Sequence, residues 1–239
     1  MSGPRFARRS MDSEYIDDPA LPAGDYTAAM RDLERVNLIL GAYRPTLAFL
    51  EGATQGMGSI RLLDIGSGHG DGLRRIAQWA AWRGIAAELT GLDLSPAATT
   101  AAIAATPPQL PIRFVSGDVF THVPDPAPDF IVSSLFAHHL EDDDVVRFVR
   151  WMETHAQRGW HINDLHRHPL AWAGFGVLSK VMRLHPIVQH DGEISVRRGF
   201  TRGEWRRILD DAGVNEVARV EGWFPFRYSI SRYRINRVS

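Results

Sequence analysis

Arg61-Leu62-Leu63-Asp64-Ile65-Gly66-Ser67-Gly68-His69-Gly70 joins a short apolar run to an acidic residue and three glycines at every second position. The run Ile60 to Ile65 suits a buried parallel strand. Gly66, Gly68 and Gly70 lack Cβ atoms, so a ligand can approach the backbone there. From Asp71 to Trp82, Leu73, Ile76, Ala77, Ala80 and Ala81 recur at helical spacing. The stretch predicts strand, glycine turn and helix, with free N–H groups at the turn.

A dinucleotide fingerprint requires G-x-G-x-x-G, but Asp71 stands three residues after Gly68. The observed D-x-G-x-G-x-G resembles motif I of class I S-adenosylmethionine-dependent methyltransferases. Asp93 follows an apolar run, Ala86 to Leu92, and precedes Ser95-Pro96, a good N-cap and first helical residue. It lies 29 positions after Asp64, beyond the roughly 20 of dinucleotide folds. Ile112 to Val115 reads as a third strand, with Asp118 just after it. Asp129 to Leu135 and Gly159 to Asn163 read as a fourth and a fifth.

That order is similar to the small-molecule (polyketide and quinone) branch of the family, over roughly Ile60 to Ile235. The resemblance implies an α/β, Rossmann-like, mostly parallel seven-stranded sheet. Its last strand would be reversed, with helices on both faces, helices ahead of the first strand and a helical cap. It also implies S-adenosylmethionine as cofactor. Asp64, Gly66, Ser67 and Gly68 would hold the methionyl group, Asp93 with Leu94 the ribose, and Asp118 with Val119 the adenine. Ser134 would lie at the cofactor's back edge. The expected reaction is O-methylation of a phenolic hydroxyl on a small aromatic or polyketide-derived acceptor. C-methylation of a quinone or lipid-like ring, and cofactor binding without catalysis, are the alternatives. The Asn/Asp-Pro-Pro-Tyr run of many N-methyltransferases is replaced by Ser133-Ser134-Leu135-Phe136.

A phenol gains from a base of near-neutral pKa, which points to histidine. His138 and His139 follow the fourth strand, and His166 and His168 follow the fifth. His138, His139 and His166 are the candidate catalytic residues. No metal site is expected. Cysteine and H-E-x-x-H are absent, and the acids Glu141 to Asp144 fit a helix start, where consecutive side chains diverge.

The chain's 239 residues allow one substantial α/β domain with a small elaboration. A net charge of −1 argues against nucleic acid or an anionic membrane as partner. Zero cysteines and no apolar signal core fit a cytoplasmic protein, and a homodimer is an open alternative. Residues 1–25 read as a flexible arm, alternatively one that closes over the acceptor through Tyr15 and Tyr26. Residues 26–239 read as a single domain, opening with two helices or one kinked at Pro45. A cap insertion is expected over about 170–200. Its first part, Leu170 to Leu184, is apolar almost all round and predicts a buried helix, and Asp191-Gly192 predicts a turn. Phe224, Phe226, Tyr228 and Ile230 alternate as in a hairpin at a sheet edge.

Overall fold

The computed structural model describes residues 6–18 and 20–234. Residues 1–5 and 19 of the expected arm, and 235–239 of the expected domain, lie outside the described residues. Helices α1 (Ala23–Ile39) and α2 (Arg44–Ala53) precede the sheet, parted just before Pro45. Then come β1 (Ser59–Ile65), α3 (Asp71–Arg83), β2 (Ala86–Asp93), α4 (Pro96–Ala105), β3 (Ile112–Ser116) and β4 (Phe130–Ser134). Residues 117–129 join β3 to β4 without a helix. The chain continues with α5 (Asp142–His155), β5 (Gly159–Leu165), α6 (Pro169–Val181), α7 (Pro186–Arg198), α8 (Arg202–Ala212), β6 (Arg219–Trp223) and β7 (Arg227–Tyr233).

The seven strands form one sheet in the order β3-β2-β1-β4-β5-β7-β6. Strands β1 to β5 are parallel, and β7 runs antiparallel to β5 and to β6. This is the expected seven-stranded sheet with a reversed last strand. The hairpin is correct but shifted. Strand β7 lies inside the sheet and β6 forms the edge, while Phe224 and Phe226 sit in the turn, Phe224 86% exposed.

Alternation along each strand separates two cores. Leu63, Ile65, Ile131, Trp160 and Ile162 pack with α5 and α8 through Phe148, Trp205 and Leu209. Ile60, Leu62, Leu89, Phe130 and Val132 pack with α2 and α3 through Leu50, Leu73 and Ile76. Each fully buried Leu, Ile or Phe contributes about 1.5–3 kcal/mol. Thr201 and Glu204 form the expected capping box of α8, and Gly213 closes the helix in the left-handed region.

A third, smaller core builds a roof. Ala29 and Val36 of α1 meet Val188 of α7 and Leu184 before it, with Ile16 of the arm and Phe175 of α6 against them. Two expectations change here. Asp191-Gly192 is the middle of α7. The Phe175 ring occupies the space a Cβ at 192 would need, so this glycine serves packing. Helix α6 is not buried: Leu170, Val177 and Val181 are 66, 64 and 76% exposed. It is the outer layer of the roof and covers α7 on one flank only. No helix among the described residues is long and apolar enough to cross a membrane.

Candidate active site

Between the roof and the C-terminal ends of the parallel strands lies a cavity of about 850 Å3. That is toward the top of the usual range for ligand pockets, ~300–1,000 Å3. Open α/β sheets bind ligands at this edge. Asp64, Gly66, Ser67, Gly68, Asp93, Leu94, Asp118, Val119, Ser134, His138 and His139 all line it.

The glycine turn is built differently from its sequence expectation. The N–H groups of Gly66, Ser67, Gly68 and Gly70 are taken by the protein itself. Gly66 and Ser67 both donate to the Leu92 carbonyl, at 2.9 and 3.2 Å, and Gly70 donates to Ser67 O at 2.8 Å. Gly68 N donates to Asp93 Oδ2 at 2.8 Å. Gly66, Gly68 and Gly70 have φ of 68°, 50° and 75°, a region L side chains rarely adopt. A Cβ at 66 would lie 2.6 Å from the Phe136 ring, and one at 70 would lie 2.6 Å from the Phe114 ring. At 68 it would meet only Met30 Cε, at 3.3 Å. Gly66 and Gly70 are therefore fixed by protein aromatics, while Gly68, which also lines the cavity, has no ring against it. A turn with four of its donors spent suits a phosphate poorly, but it leaves a smooth surface for an uncharged or cationic group.

Asp64 is buried, and no described residue donates a hydrogen bond to its carboxylate. Burial first, then the charges of Asp71 and Asp93, push its pKa well above the usual carboxylate value. A buried acid lacking a donor is a ready seat for a ligand's ammonium group. Asp93 is held on both oxygens, by Gly68 N and by Ser95 N at 2.9 Å. Burial still raises its pKa over the lowering by those two bonds. Each oxygen keeps a lone pair for a ligand hydroxyl. Asp118 accepts from Phe120 N at 2.9 Å, and Val119 is buried beside it. Ser134 Oγ lies 3.3 Å from Thr46 Oγ1 and accepts from Asn163 Nδ2 at 3.4 Å.

The same cavity holds a polar group that sequence spacing did not assemble. His138 and His139 form a single 3-10 turn after β4. His138 Nδ1 is 2.7 Å from Asp164 Oδ1 at the end of β5, and both residues are buried. His139 Nδ1 is 3.0 Å from Asp17 Oδ2 of the arm. Burial disfavours a charge on His139, but the Asp17 hydrogen bond and the charges of Glu14 and Asp17 outweigh it and raise its pKa. His166 does not join them. It is absent from the cavity wall and packs on Tyr228 and His168, with ring centroids 4.7 and 5.4 Å away. Burial and the charges of His168, Arg167 and Arg202 lower its pKa. His168 caps α6 by accepting from Leu170 N.

The arm reaches this group by ties no local pattern announces. Arg9 donates to the carbonyls of His138 and Leu140 at 3.0 and 2.9 Å. Arg198 of α7 donates to the carbonyls of His138 and His139 at 2.9 and 2.8 Å, and to Asp12 O at 2.8 Å. Asp191 accepts from Tyr15 N and Ile16 N, both at 2.9 Å. Tyr26 lines the cavity, whereas Tyr15 is half exposed outside it and stacks on His190. Arg227 and Asn163 lie on the floor, and Arg227 Nη1 and Asn163 Oδ1 are buried without a hydrogen bond. Burial pulls the Arg227 pKa down to about 10, against the opposing charges of Asp164 and Tyr43. His69 turns away from the cavity, near Arg74 and Glu34, and burial lowers its pKa.

Residues 62–159 match a family of methyltransferase domains. No curated protein sequence matches the chain. Solved structures share the fold at low identity. The plantazolicin methyltransferase BpumL, crystallised with a monoazolic desmethyl substrate analogue and SAH, is 13% identical, with a TM-score of 0.62 over 88% of this chain and 96% of its own. Human N-acetylserotonin methyltransferase, in complex with SAM, is 17% identical, with a TM-score of 0.62 over 89% of this chain and 56% of its own. Magnesium protoporphyrin IX methyltransferase from Synechocystis, with bound SAH, is 15% identical, with a TM-score of 0.54 over 92% and 91%.

Proposed function

We propose that this chain, a methyltransferase by its matched domain and its class I fold, uses S-adenosylmethionine to methylate a phenolic oxygen on a small aromatic or polyketide-derived acceptor. One observation carries the reading. A single cavity is lined both by the row Asp64, Gly68, Asp93 and Val119 and by an oriented histidine, His138. The three solved relatives are named for work on a peptide natural product, an indole amine derivative and a porphyrin, which supports a small-molecule acceptor.

When bound, S-adenosylmethionine supplies an electrophilic methyl carbon on a sulfonium. The chain's task is to bind, align and deprotonate. Asp64 would pair with the methionyl ammonium, and its raised pKa is the cost of keeping a carboxylate there without one. Asp93 would accept from the ribose hydroxyls, and Val119 beside Asp118 would floor the adenine. Asp164 fixes the proton on His138 Nδ1, so Nε2 offers its lone pair to the cavity. That lone pair, or the one on His139, would take the acceptor's hydroxyl proton as the oxygen bonds to the methyl carbon. Arg227 and Asn163 offer a buried cation and an open acceptor to the polar edge of the ring. Much of the rate can come from alignment alone, on the order of 7–11 kcal/mol.

The test is transfer from a 13C-methyl-labelled cofactor to a panel of hydroxylated aromatics, read by mass and carbon NMR. An aryl methyl ether is the expected product. A new ring-carbon methyl would replace this reading with C-methylation, and cofactor binding without transfer to any member would leave a binding protein.

A further inference from the structure

Glu14, His138 and His139 bring one ligand atom each to a single place on the cavity wall, all within 4.8 Å of one another. His138 Nε2 lies 3.8 Å from Glu14 Oε1, and His139 Nε2 lies 4.0 Å from Glu14 Oε2. Neither separation is a hydrogen bond. The far nitrogens are already engaged, His138 Nδ1 with Asp164 at 2.7 Å and His139 Nδ1 with Asp17 at 3.0 Å. A carboxylate behind a histidine keeps the proton on that side and leaves the other nitrogen as a lone pair. The two Nε2 atoms, free of hydrogen bonds, therefore face a carboxylate as ligand atoms, and Glu14 Oε1 is buried with no hydrogen-bond partner. A buried carboxylate oxygen without a partner is costly, and a cation held among the three ligand atoms offsets that cost.

We propose that Glu14, His138 and His139 bind a divalent transition-metal ion, with open coordination positions toward the acceptor side of the cavity. Two imidazoles and one carboxylate suit zinc, manganese or iron, whereas magnesium and calcium favour all-oxygen sets. Carboxylates behind both ligand histidines form the outer shell such sites use to set tautomer and ring direction. Ligands at ~2.1 Å from a tetrahedral ion stand about 3.4 Å apart. The observed 3.8 and 4.0 Å, and a spread of up to 4.8 Å among the three ligand atoms, call for a closure of about an ångström around the ion. The third ligand comes from the arm, so the ion would also pin residues 12–17 over the cavity. Arg9 and Arg198, which tie the arm and α7 to the carbonyls of His138 to Leu140, hold the three ligands in register.

The ion's use, though not its binding, rests on the methyltransferase reading. An acceptor hydroxyl on an open position loses its proton more readily. In that case the proton passes to solvent. The oxygen's lone pair then forms the new bond to the methyl carbon, while the carbon–sulfur pair stays on sulfur. The histidines would then serve as ligands in place of free bases.

The test is a titration of the full-length, chelator-stripped protein with Zn2+ or Mn2+ alone, followed by calorimetry and by metal content after gel filtration. One equivalent should bind. Glu14→Gln and His139→Ala should each weaken binding at least tenfold, and Asp17→Asn by about 10–100-fold. His168→Ala, which lies off the cavity, should leave it unchanged. Co2+ should give a visible ligand-field band that the same variants abolish. S-adenosylmethionine binding, measured on every sample, reports that the fold is intact. Absence of stoichiometric binding, or binding that survives both Glu14→Gln and His139→Ala, overturns the site. Stripped protein that binds no ion yet methylates a phenol overturns the metal and leaves the methyltransferase reading intact. Protein that binds the ion through these residues but never binds S-adenosylmethionine does the reverse.

Discussion

His138 Nδ1 lies 2.7 Å from Asp164 Oδ1, and the backbone N–H of His138 donates to the other oxygen of the same carboxylate at 3.1 Å. One buried acid at the end of β5 thus fixes both the ring and the main chain of a residue that follows β4. The direction of Nε2 is consequently set by the pairing of two strands, and not by a loop.

Asp164→Asn should therefore lower turnover far more than it lowers cofactor affinity. We expect about 10²–10⁴-fold in kcat, the range for lost proton-transfer assistance, with calorimetric binding of S-adenosylmethionine nearly unchanged. The loss should shrink as pH approaches the acceptor's own pKa, because solvent then supplies the phenolate. A loss equal at every pH would assign Asp164 to packing alone. Stability should fall by about 1–3 kcal/mol, the cost of weakening a buried hydrogen-bonded acceptor.

Asp93→Asn should weaken S-adenosylmethionine binding by about 1.5–3 kcal/mol, the range for hydrogen bonds to a charged group. Alanine is the wrong probe here, because Asp93 also ties down Gly68 N and Ser95 N. Asparagine removes the charge and keeps one of those two bonds, since its amide oxygen accepts while its NH2 group cannot. Calorimetry with thermal melting separates the outcomes: full affinity in a folded Asp93→Asn protein would contradict the ribose role.

Asp64→Asn should make the cofactor-free protein more stable and the cofactor complex weaker. The sign follows from the raised pKa. Below the ordinary value of 3.8, Asp64 is protonated in both folded and unfolded chains, and the substitution changes little. As pH climbs above 3.8, the unfolded chain ionises while burial keeps the proton on the native carboxyl, so native stability falls until the folded pKa is reached. Asparagine escapes that cost. The stabilisation should grow with pH and level off once Asp64 is ionised, as read from denaturant midpoints across a pH series. Asp64→Asn protein that is less stable than wild type at neutral pH would mean that the carboxylate has a stabilising partner.

Gly66→Ala should cost about 2–5 kcal/mol, by adding a left-handed backbone penalty of roughly 1–2 to the overpacking of Phe136 at roughly 1–3. The double substitution Gly66→Ala, Phe136→Ala should recover part of the overpacking and none of the backbone penalty. Urea unfolding of the two proteins checks this, and equal stability of Gly66→Ala and wild type would refute the packing role of Phe136.

Much of this molecule could be read along the chain, because strands, turns and caps are local. The runs ending at Ile65, Leu92, Val115 and Leu135 mark strands through apolar and β-branched content, and Thr201-x-x-Glu204 marks a helix start through hydrogen bonds spanning three residues. The row Asp64, Gly68, Asp93, Asp118 was legible because parallel strands align their C-terminal ends, so order in sequence becomes adjacency in space. What the sequence left open was set by contacts across long separations. Apolar periodicity could not tell that α6 is an outer layer, since it shows how a helix can be buried and not what arrives to cover it. Asp191-Gly192 carries a turn's composition, but Phe175 and the arm's N–H groups hold it within a helix. His138, His139 and His166 all stand as candidate bases on their positions after β4 and β5. Only the tertiary structure separates them, because Asp164, Asp17 and Glu14 converge on His138 and His139 while His166 is drawn against Tyr228. Glu14 lies 124 positions before His138, and no local spacing encodes a contact that two arginines must cross the roof to fasten.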